Sequence, residues 1–477
     1  MNNSKDNFGY LPDEAPSMWK LLLYAVQQVI VMFPATVAVA LITGFQVSTT
    51  IFASGLATIC FILITGKKIP LYYGSSFSYL TAVAGLMSGS EIRDLVSAET
   101  VTQLDSWLAG DISVLPGEAI SYAQFGIIMS GLISIAAGLL IKFFGKNSVE
   151  KILPPTITGP VAMIIGLTLA GNALSDAAPK LATEGAMSTN WVWVVSLATL
   201  LSTILFSRYL KGFLGQLPLL LGAAVGCVTA AVLYAVGGAD LNLFRAIPKE
   251  AFESSLWQAG PFALPAITFP KVSWAAILAI MPIAIATIPE STAHMYQLDI
   301  YVNDLAKKKK LSKKYNLTDK LDINLIGDGI GDMISGLVGG PAGTNYGENI
   351  STMAITKVFS VPVLIAAAII AMVVSCFTPL VQGIYAIPLP VIGGLEIYLF
   401  GAIAAQGIAI MVERKSDMFD SKNIAVIASI MVIGVGGQYA FGGNIPFFGA
   451  EIPCIAGAAI FGIFLNLILS IGEKRRQ

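Results

Sequence analysis

Apolar and polar positions alternate along this chain on the scale of whole helices. A helix needs about 20 apolar residues to cross the hydrocarbon of a bilayer. Runs of that kind occupy 21–43, 48–65, 120–142, 152–172, 190–206, 214–236, 273–289, 324–340, 358–378, 387–411, 423–440 and 452–471, which predicts twelve spans. Two further segments, near 75–88 and 346–356, are too short or too polar at their start to be ordinary spans. Each sits in a gap that breaks the alternation of loops, so both count as broken half-spans and the expected total is fourteen.

Basic residues test that count, because loops on the inner side of a membrane collect Lys and Arg. With the N-terminus inside, 23 of the 28 Lys and Arg residues fall inward, among them Lys67, Lys68, Lys142, Lys146, Lys151 and the run from Lys307 to Lys320. Arg93, Lys180, Arg245, Lys249 and Lys271 fall outward. Removing one half-span puts the later basic loops on the wrong side. The 307–320 run reads as a topology determinant that also touches anionic lipid. Outward, an acidic loop at 89–119 is expected to carry a short surface helix, and a second long loop covers 237–272.

Composition agrees. The chain of 477 residues is 55% hydrophobic and 12% charged, against roughly a quarter charged in a soluble protein. This is an integral membrane protein. A net charge of -1 provides no field to hold nucleic acid. The four cysteines (Cys60, Cys227, Cys376, Cys454) lie in or beside apolar runs and read as small core hydrophobes. A single histidine excludes histidine-rich metal and haem sites, and no cofactor is expected. The polar stretch 1–18 lacks the pattern of a signal peptide, so the first span is expected to be retained.

An internal repeat is visible. Pro155, Gly159 and Gly166 in the fifth span recur as Pro390, Gly394 and Gly401 in the twelfth, at a constant offset of 235. Gly74-Ser75-Ser76-Phe77 loosely matches Gly343-Thr344-Asn345-Tyr346. Equivalent segments sit seven spans apart, an odd number, so the halves must run in opposite directions. Inverted repeats with paired, interrupted helices point to a secondary transporter with a site near the midplane.

Ionisable side chains at bilayer depth cost several kcal/mol and mark function by default. Glu290, Glu348 and Glu396 qualify. Glu290 ends the eighth span, where Pro289 interrupts the helical ladder. His294 lies at i+4 on the same face, placed to share a proton with the carboxylate and orient it; the plainer reading is a capping glutamate with an interfacial histidine. Glu348 follows Gly339-Gly340-Pro341-Ala342-Gly343-Thr344-Asn345-Tyr346-Gly347 and opens the tenth segment, where free N–H groups and a positive dipole end favour carbonyl oxygens or anions. The first half offers the mirror arrangement at Gly74-Ser75-Ser76-Phe77-Ser78-Tyr79. Two facing helix starts, two carboxylates and two aromatic walls suit a flat neutral molecule with alternating N–H and C=O groups, which describes a nucleobase. Glu396 reads as a gating residue or one paired inside the bundle. Asp328 and Asp332, at i and i+4 of the ninth span, read as a proton path or as partners of inward lysines.

These residues resemble a known family. Gln27-Gln28 with Met32-Phe33, Gly74-Ser75-Ser76-Phe77, Glu290 with His294, Tyr346-Gly347-Glu348-Asn349 and Ile387-Pro388-Leu389-Pro390-Val391-Ile392-Gly393-Gly394 are similar to the nucleobase-cation symporter-2 family, also called nucleobase–ascorbate transporters, and among them to bacterial uracil permeases. The likeness runs from about residue 18 to 470. It implies an all-α membrane protein with fourteen segments in a seven-plus-seven inverted repeat and short extended stretches before half-helices 3 and 10. It further implies an inward tail (1–20), a core domain (21–150 and 273–380), a gate domain (151–272 and 381–477) and a homodimer in the cytoplasmic (inner) membrane with both termini inside. Carried over, Phe77, Glu290, Gly347 and Glu348 bind the base with a coupled proton, His294 and Tyr346 support them, and Phe400 takes the gate position that is tyrosine in the uracil permease pattern. Departures are Gln28 where the family has histidine, Ser351 where its signature has glycine, Phe400 itself, and a long 89–119 loop. The rivals are a purine, xanthine or urate symporter of the same build and an anion exchanger or channel of the same architecture. A membrane enzyme has no nucleophile–base set or metal cluster to support it.

Overall fold

Helix dominates the structure because a backbone inside lipid finds no water and must satisfy its own N–H and C=O groups. A computed structural model of the chain describes residues 9–145, 152–179, 190–237, 243–244, 257–448 and 450–471. Much of the predicted 237–272 loop lies outside the described residues, as do Lys5, Lys146, Lys151, Lys180, Arg245, Lys249 and Lys474 to Arg476.

In chain order the helices are α1 (Met18–Thr43), α2 (Val47–Ile64), α3 (Leu80–Ser88, entered through a 3-10 turn at Phe77–Tyr79), α4 (Ser90–Leu95), α5 (Ala98–Ala109), α6 (Gly117–Phe144), α7 (Pro155–Thr168), α8 (Ala170–Ala177), α9 (Trp191–Tyr209), α10 (Pro218–Gly237), α11 (Trp274–Ile280), α12 (Ala284–Lys308), α13 (Leu321–Val338), α14 (Gly347–Thr356), α15 (Val361–Ser375), α16 (Thr378–Tyr385), α17 (Leu389–Glu413), α18 (Ser421–Phe441) and α19 (Cys454–Ser470). The strands are short: β1 (Tyr73–Ser75), β2 (Gln258–Ala259), β3 (Phe262–Ala263), β4 (Gly343–Asn345), β5 (Asn444–Phe447) and β6 (Ala450–Pro453). Among the described residues, nine helical stretches are long and apolar enough to cross a membrane. Large side chains such as Leu201, Val232, Val373 and Phe464 stay exposed, the surface that lipid covers.

The chain divides into two units. The first holds Met1–Lys151 and Glu250–Thr378; the second holds Ile152–Lys249 and Pro379–Gln477. In the first, α13 lies between α6 and α2, and α15 packs on α2 and α1. Where α6 crosses α13, a Cβ on Gly131 or on Gly329 would strike the other's carbonyl oxygen. Small residues let the two backbones touch, the usual means of joining helices in lipid. Below this crossing Gln124 donates to the carbonyls of Thr268 (2.8 Å) and Gly336 (2.6 Å). In the second unit α17 packs on α7, α8 and α9, and α18 on α7 and α19.

Four details differ from the sequence reading. Pro289 does not end a helix: α12 runs through it, as helices packed against neighbours in a membrane tolerate. The break falls earlier, at the 3-10 turn Met281–Ile283 around Pro282. A hairpin of β5 and β6, joined from Asn444↔Pro453 to Phe447↔Ala450, precedes α19, and α16 was not anticipated. The acidic 89–119 loop carries two short helices, α4 and α5, not one.

Replacing Gly131 with Val drives its side chain into the Gly329 carbonyl, at a cost of about 1–3 kcal/mol typical of overpacking. Thermal denaturation of detergent-purified protein should show a lowered midpoint for Gly131→Val. Gly436→Ala, which meets nothing within 4 Å, should leave it unchanged or slightly raised.

Candidate functional site

Two interrupted segments meet in the interior of the first unit. β1 and β4 pair antiparallel, Tyr73↔Asn345, Gly74↔Thr344 and Ser75↔Gly343. Ser76 N–H donates to the Ala342 carbonyl (3.0 Å) and Tyr346 N–H to that of Tyr72 (2.9 Å), closing both ends of the ladder. The strand residues are all buried, so unpaired backbone groups here would be costly. Each strand runs straight into a helix start: Phe77 begins one and Gly347 the other. First-turn N–H groups have no intrahelical acceptor, so two sets of donors are available side by side.

Tyr346 locks the join. Its hydroxyl donates to the Ser75 carbonyl (3.0 Å) and is bonded to Thr36 Oγ1 (2.9 Å). Its ring lies across Gly74, where any Cβ would collide with it. Asn349, one turn into α14, donates to the carbonyl (3.1 Å) and the side-chain oxygen (2.8 Å) of Gln28 on α1. The departure at Gln28 is thus structurally absorbed: an amide acceptor takes an amide donor, both buried.

Beneath the strands is a layer of buried polar side chains. Asp332 accepts from the Tyr73 hydroxyl and from Gly343 N–H (2.8 Å). Asp328 accepts from Ser291, and Asn345 Nδ2 reaches Ser291 (3.1 Å), Asn324 (3.3 Å) and Asp328 (3.3 Å). The reading of these aspartates as partners of lysines is not what the structure holds, because tyrosine, serine and backbone donors occupy them. Ser291 is the neighbour of Glu290, so this layer ties α12 to β4.

The tie brings the site acids together. α12, which carries Glu290, packs on β4 and on α14, which carries Glu348. Phe77, Gly347, Glu290 and His294 are half-buried, and Glu348 is exposed. Glu348 is thus the more exposed of the two acids. His294 also differs from expectation. Among the described residues no hydrogen bond joins it to Glu290; its imidazole faces the backbone of Asn345 and Gly347, and a Cβ on Gly347 would lie 2.9 Å from its Nε2. The histidine has turned from its own helix to the start of the next. Glu396 is buried on α17, in the second unit, as is Phe400. Gln28, Thr36, Asn324 and Asn345 were missed as members of the site. Each is a polar group within or beside an apolar run, and of the four only Gln28 stands out in the sequence as a single residue, as a departure from the family pattern.

Among the described residues no group of His, Cys, Asp and Glu is arranged to hold a metal ion. The arrangement offers backbone donors, two carboxylate acceptors and an aromatic ring to a small molecule, within a chain that crosses a membrane many times. That is the anatomy of a transporter and not of an enzyme. A family model described as "Permease family" matches residues 19–443. The chain is 34% identical over 459 residues to the uracil permease of Bacillus caldolyticus, covering 96% of this chain and 93% of that one. It is 31% identical over 460 residues to the uracil permease of Escherichia coli (strain K12), with the same two coverages, 96% and 93%. The transmembrane domain of the cyanobacterium bicarbonate transporter BicA shares the fold, with a TM-score of 0.53 at 16% identity over 94% of this chain and 96% of that one. The chain belongs to this permease family, and its resemblance to the nucleobase-cation symporter-2 proteins holds over nearly its whole length.

Because the chain has one histidine, selective ¹⁵N-histidine labelling yields the imidazole signals of His294 alone. Gly347→Ala should shift them, since the added methyl must displace the ring. Gly401→Ala, which meets nothing within 4 Å, should not. Unmoved signals in Gly347→Ala would show that the ring does not rest on that backbone.

Proposed function

We propose that this permease imports a nucleobase, uracil foremost, together with a proton across the cytoplasmic membrane. The observation that carries the reading is the β1–β4 pairing, which sets two helix starts beside each other, one carrying Glu348, with the helix of Glu290 packed against both β4 and α14. The relatives' printed names supply the substrate class.

In this mechanism Glu290 binds the proton and one N–H/C=O edge of the ring. Glu348 accepts from another ring N–H, and the N–H groups of Phe77 and Gly347 donate to ring carbonyls. Two neighbouring carboxylates repel each other, so a proton on the pair accompanies loading by an uncharged ring. His294 and Tyr346 hold the α14 start in place. The first unit acts as the core that carries the site and the second as the gate, in which Phe400 takes the gate position. The exposure of Glu348 suits a state open to one side, as alternating access requires.

The same reading takes the chain as fourteen segments in a seven-plus-seven inverted repeat, with both termini inward, working as a homodimer. The two strands that pair are the segments the sequence matches between the halves. Gly74 corresponds to Gly343 and Ser75 to Thr344, and the pairs formed are Gly74↔Thr344 and Ser75↔Gly343.

In proteoliposomes with an imposed pH gradient, wild-type protein should accumulate labelled uracil and Glu290→Gln should not; undiminished accumulation by the variant removes Glu290 from proton coupling. Glu348→Gln loses a charge-assisted hydrogen bond worth about 1.5–3 kcal/mol, which predicts at least a tenfold rise in uracil Kd. Thermal-shift screening should show stabilisation by uracil over xanthine, urate and bicarbonate. Stabilisation by bicarbonate instead would make the chain an anion carrier.

A further inference from the structure

The two helices that carry the site acids end in the same neighbourhood. α12 holds Glu290 and ends at Lys308; α14 holds Glu348 and ends at Thr356. At 1.5 Å per residue the first end lies about 27 Å from Glu290 and the second about 12 Å from Glu348. Among the described residues no hydrogen bond runs directly between 309–317, which follows α12, and 357–360, which follows α14. Residues 9–14, ahead of α1, join them.

On the α14 side the join is backbone. Tyr10 N–H donates to the Lys357 carbonyl (2.8 Å), Phe359 N–H to Tyr10 (2.7 Å) and Val361 N–H to Pro12 (3.2 Å), in a parallel bridge of Tyr10 with Val358. Ser360 Oγ donates to the Glu14 carbonyl (2.6 Å). On the α12 side the join is ionic. Lys309 pairs with Glu14 and donates to the Gly9 carbonyl (3.0 Å), while Lys313 pairs with Asp13 (2.6 Å) and the Tyr315 hydroxyl also donates to Asp13. Tyr315 is in turn fixed to α12 by Asn303, whose Oδ1 accepts from Tyr315 N–H (2.9 Å) and whose Nδ2 donates to its carbonyl (3.2 Å). Leu11, at the middle of the segment, is fully buried. This is a built clasp. It differs from the expectation that the basic run serves only topology and lipid, since Lys309 and Lys313 are engaged by protein acids.

We infer that residues 9–14 clasp the ends of α12 and α14 together and so set the spacing of Glu290 and Glu348, with Asp13 and Glu14 as positioning residues for substrate binding. The inference rests on the uracil reading above for its functional arm. Partial burial pushes the Asp13 carboxyl up, but hydrogen bonds from Lys313 and Tyr315 outweigh it and hold the group below its ordinary value. A lowered carboxyl contributes its stability above the ordinary value and loses it only as pH falls through the lowered one, so the Asp13 arm of the clasp is weakened only by acid. Once the clasp is released, the fraction of molecules with the competent spacing falls, and apparent affinity falls in the same proportion.

The test uses full-length protein in proteoliposomes, as wild type, D13N, E14Q, D13N/E14Q and the charge swap D13K/K313D. Uracil uptake is read as KM and Vmax. Spin labels at Ile300→Cys on α12 and Ile355→Cys on α14, both exposed at 66% and 44%, with the four native cysteines replaced, report helix spacing without substrate. The double variant should broaden the label distance and raise KM about five- to tenfold, with Vmax little changed; each single variant should do part of this, and the swap should restore both readouts toward wild type. Unchanged distance and KM in D13N/E14Q, or a swap that restores neither, overturns the clasp. If wild-type vesicles take up no uracil, the substrate reading fails while the label distances still decide the clasp.

Discussion

A buried backbone in a membrane must find its hydrogen bonds within the protein, and everything around the site follows from that constraint. Residues 73–75 and 343–345 are extended at a depth where an unsatisfied amide costs several kcal/mol. Each stretch alone is untenable. Paired, they satisfy one another through the ladder from Tyr73↔Asn345 to Ser75↔Gly343. The pairing then dictates where both helices start, because Ser76 and Tyr346 spend their N–H groups closing it. It also dictates a glycine at 74, over which the Tyr346 ring lies.

The polar layer below extends the same logic to side chains. Buried hydrogen-bonding groups stabilise when partnered and penalise when not. Asp332 serves both β1, through Tyr73, and the start of β4, through Gly343 N–H, so one carboxyl braces both strands from α13. Asp328, Ser291 and Asn345 do the equivalent between α13, α12 and β4. The outcome is that α12 cannot rotate freely about its axis. Glu290, one residue before Ser291, sits on the helix that this network holds against β4.

Long apolar runs made the helices legible, since one-dimensional composition is what a bilayer selects. The two half-helices were legible as well, from glycine and polar residues where a span should begin. Less visible was anything decided by a partner distant in sequence. Pro289 reads as a break because local rules count its missing N–H, whereas neighbouring helices let α12 continue. His294 reads as a partner of Glu290 because i+4 spacing places it there, whereas the glycine at 347 offers the ring a closer seat. Asp13 and Glu14 read as a polar tail, and only the folded chain sets them against Lys313 and Lys309.

The register of the strands also separates geometry from chemistry. At the correspondence of Gly74 with Gly343, Glu348 corresponds to Tyr79. Tyr79 is buried and its hydroxyl donates to Ser130 (3.2 Å) on α6, whereas Glu348 is exposed. The two helix starts differ in form: Phe77 enters through a 3-10 turn capped by the Ser76 hydroxyl, and Gly347 opens an α-helix with no side-chain cap. Only one start adds a carboxylate, and the second acid, Glu290, comes from a helix on the same side of the sequence repeat. The ladder holds both starts in place because each strand satisfies the backbone of the other. The asymmetric acids then give the crossing a direction. Carboxylate chemistry on one start and free amide donors on both make the two flanks of the crossing chemically unlike.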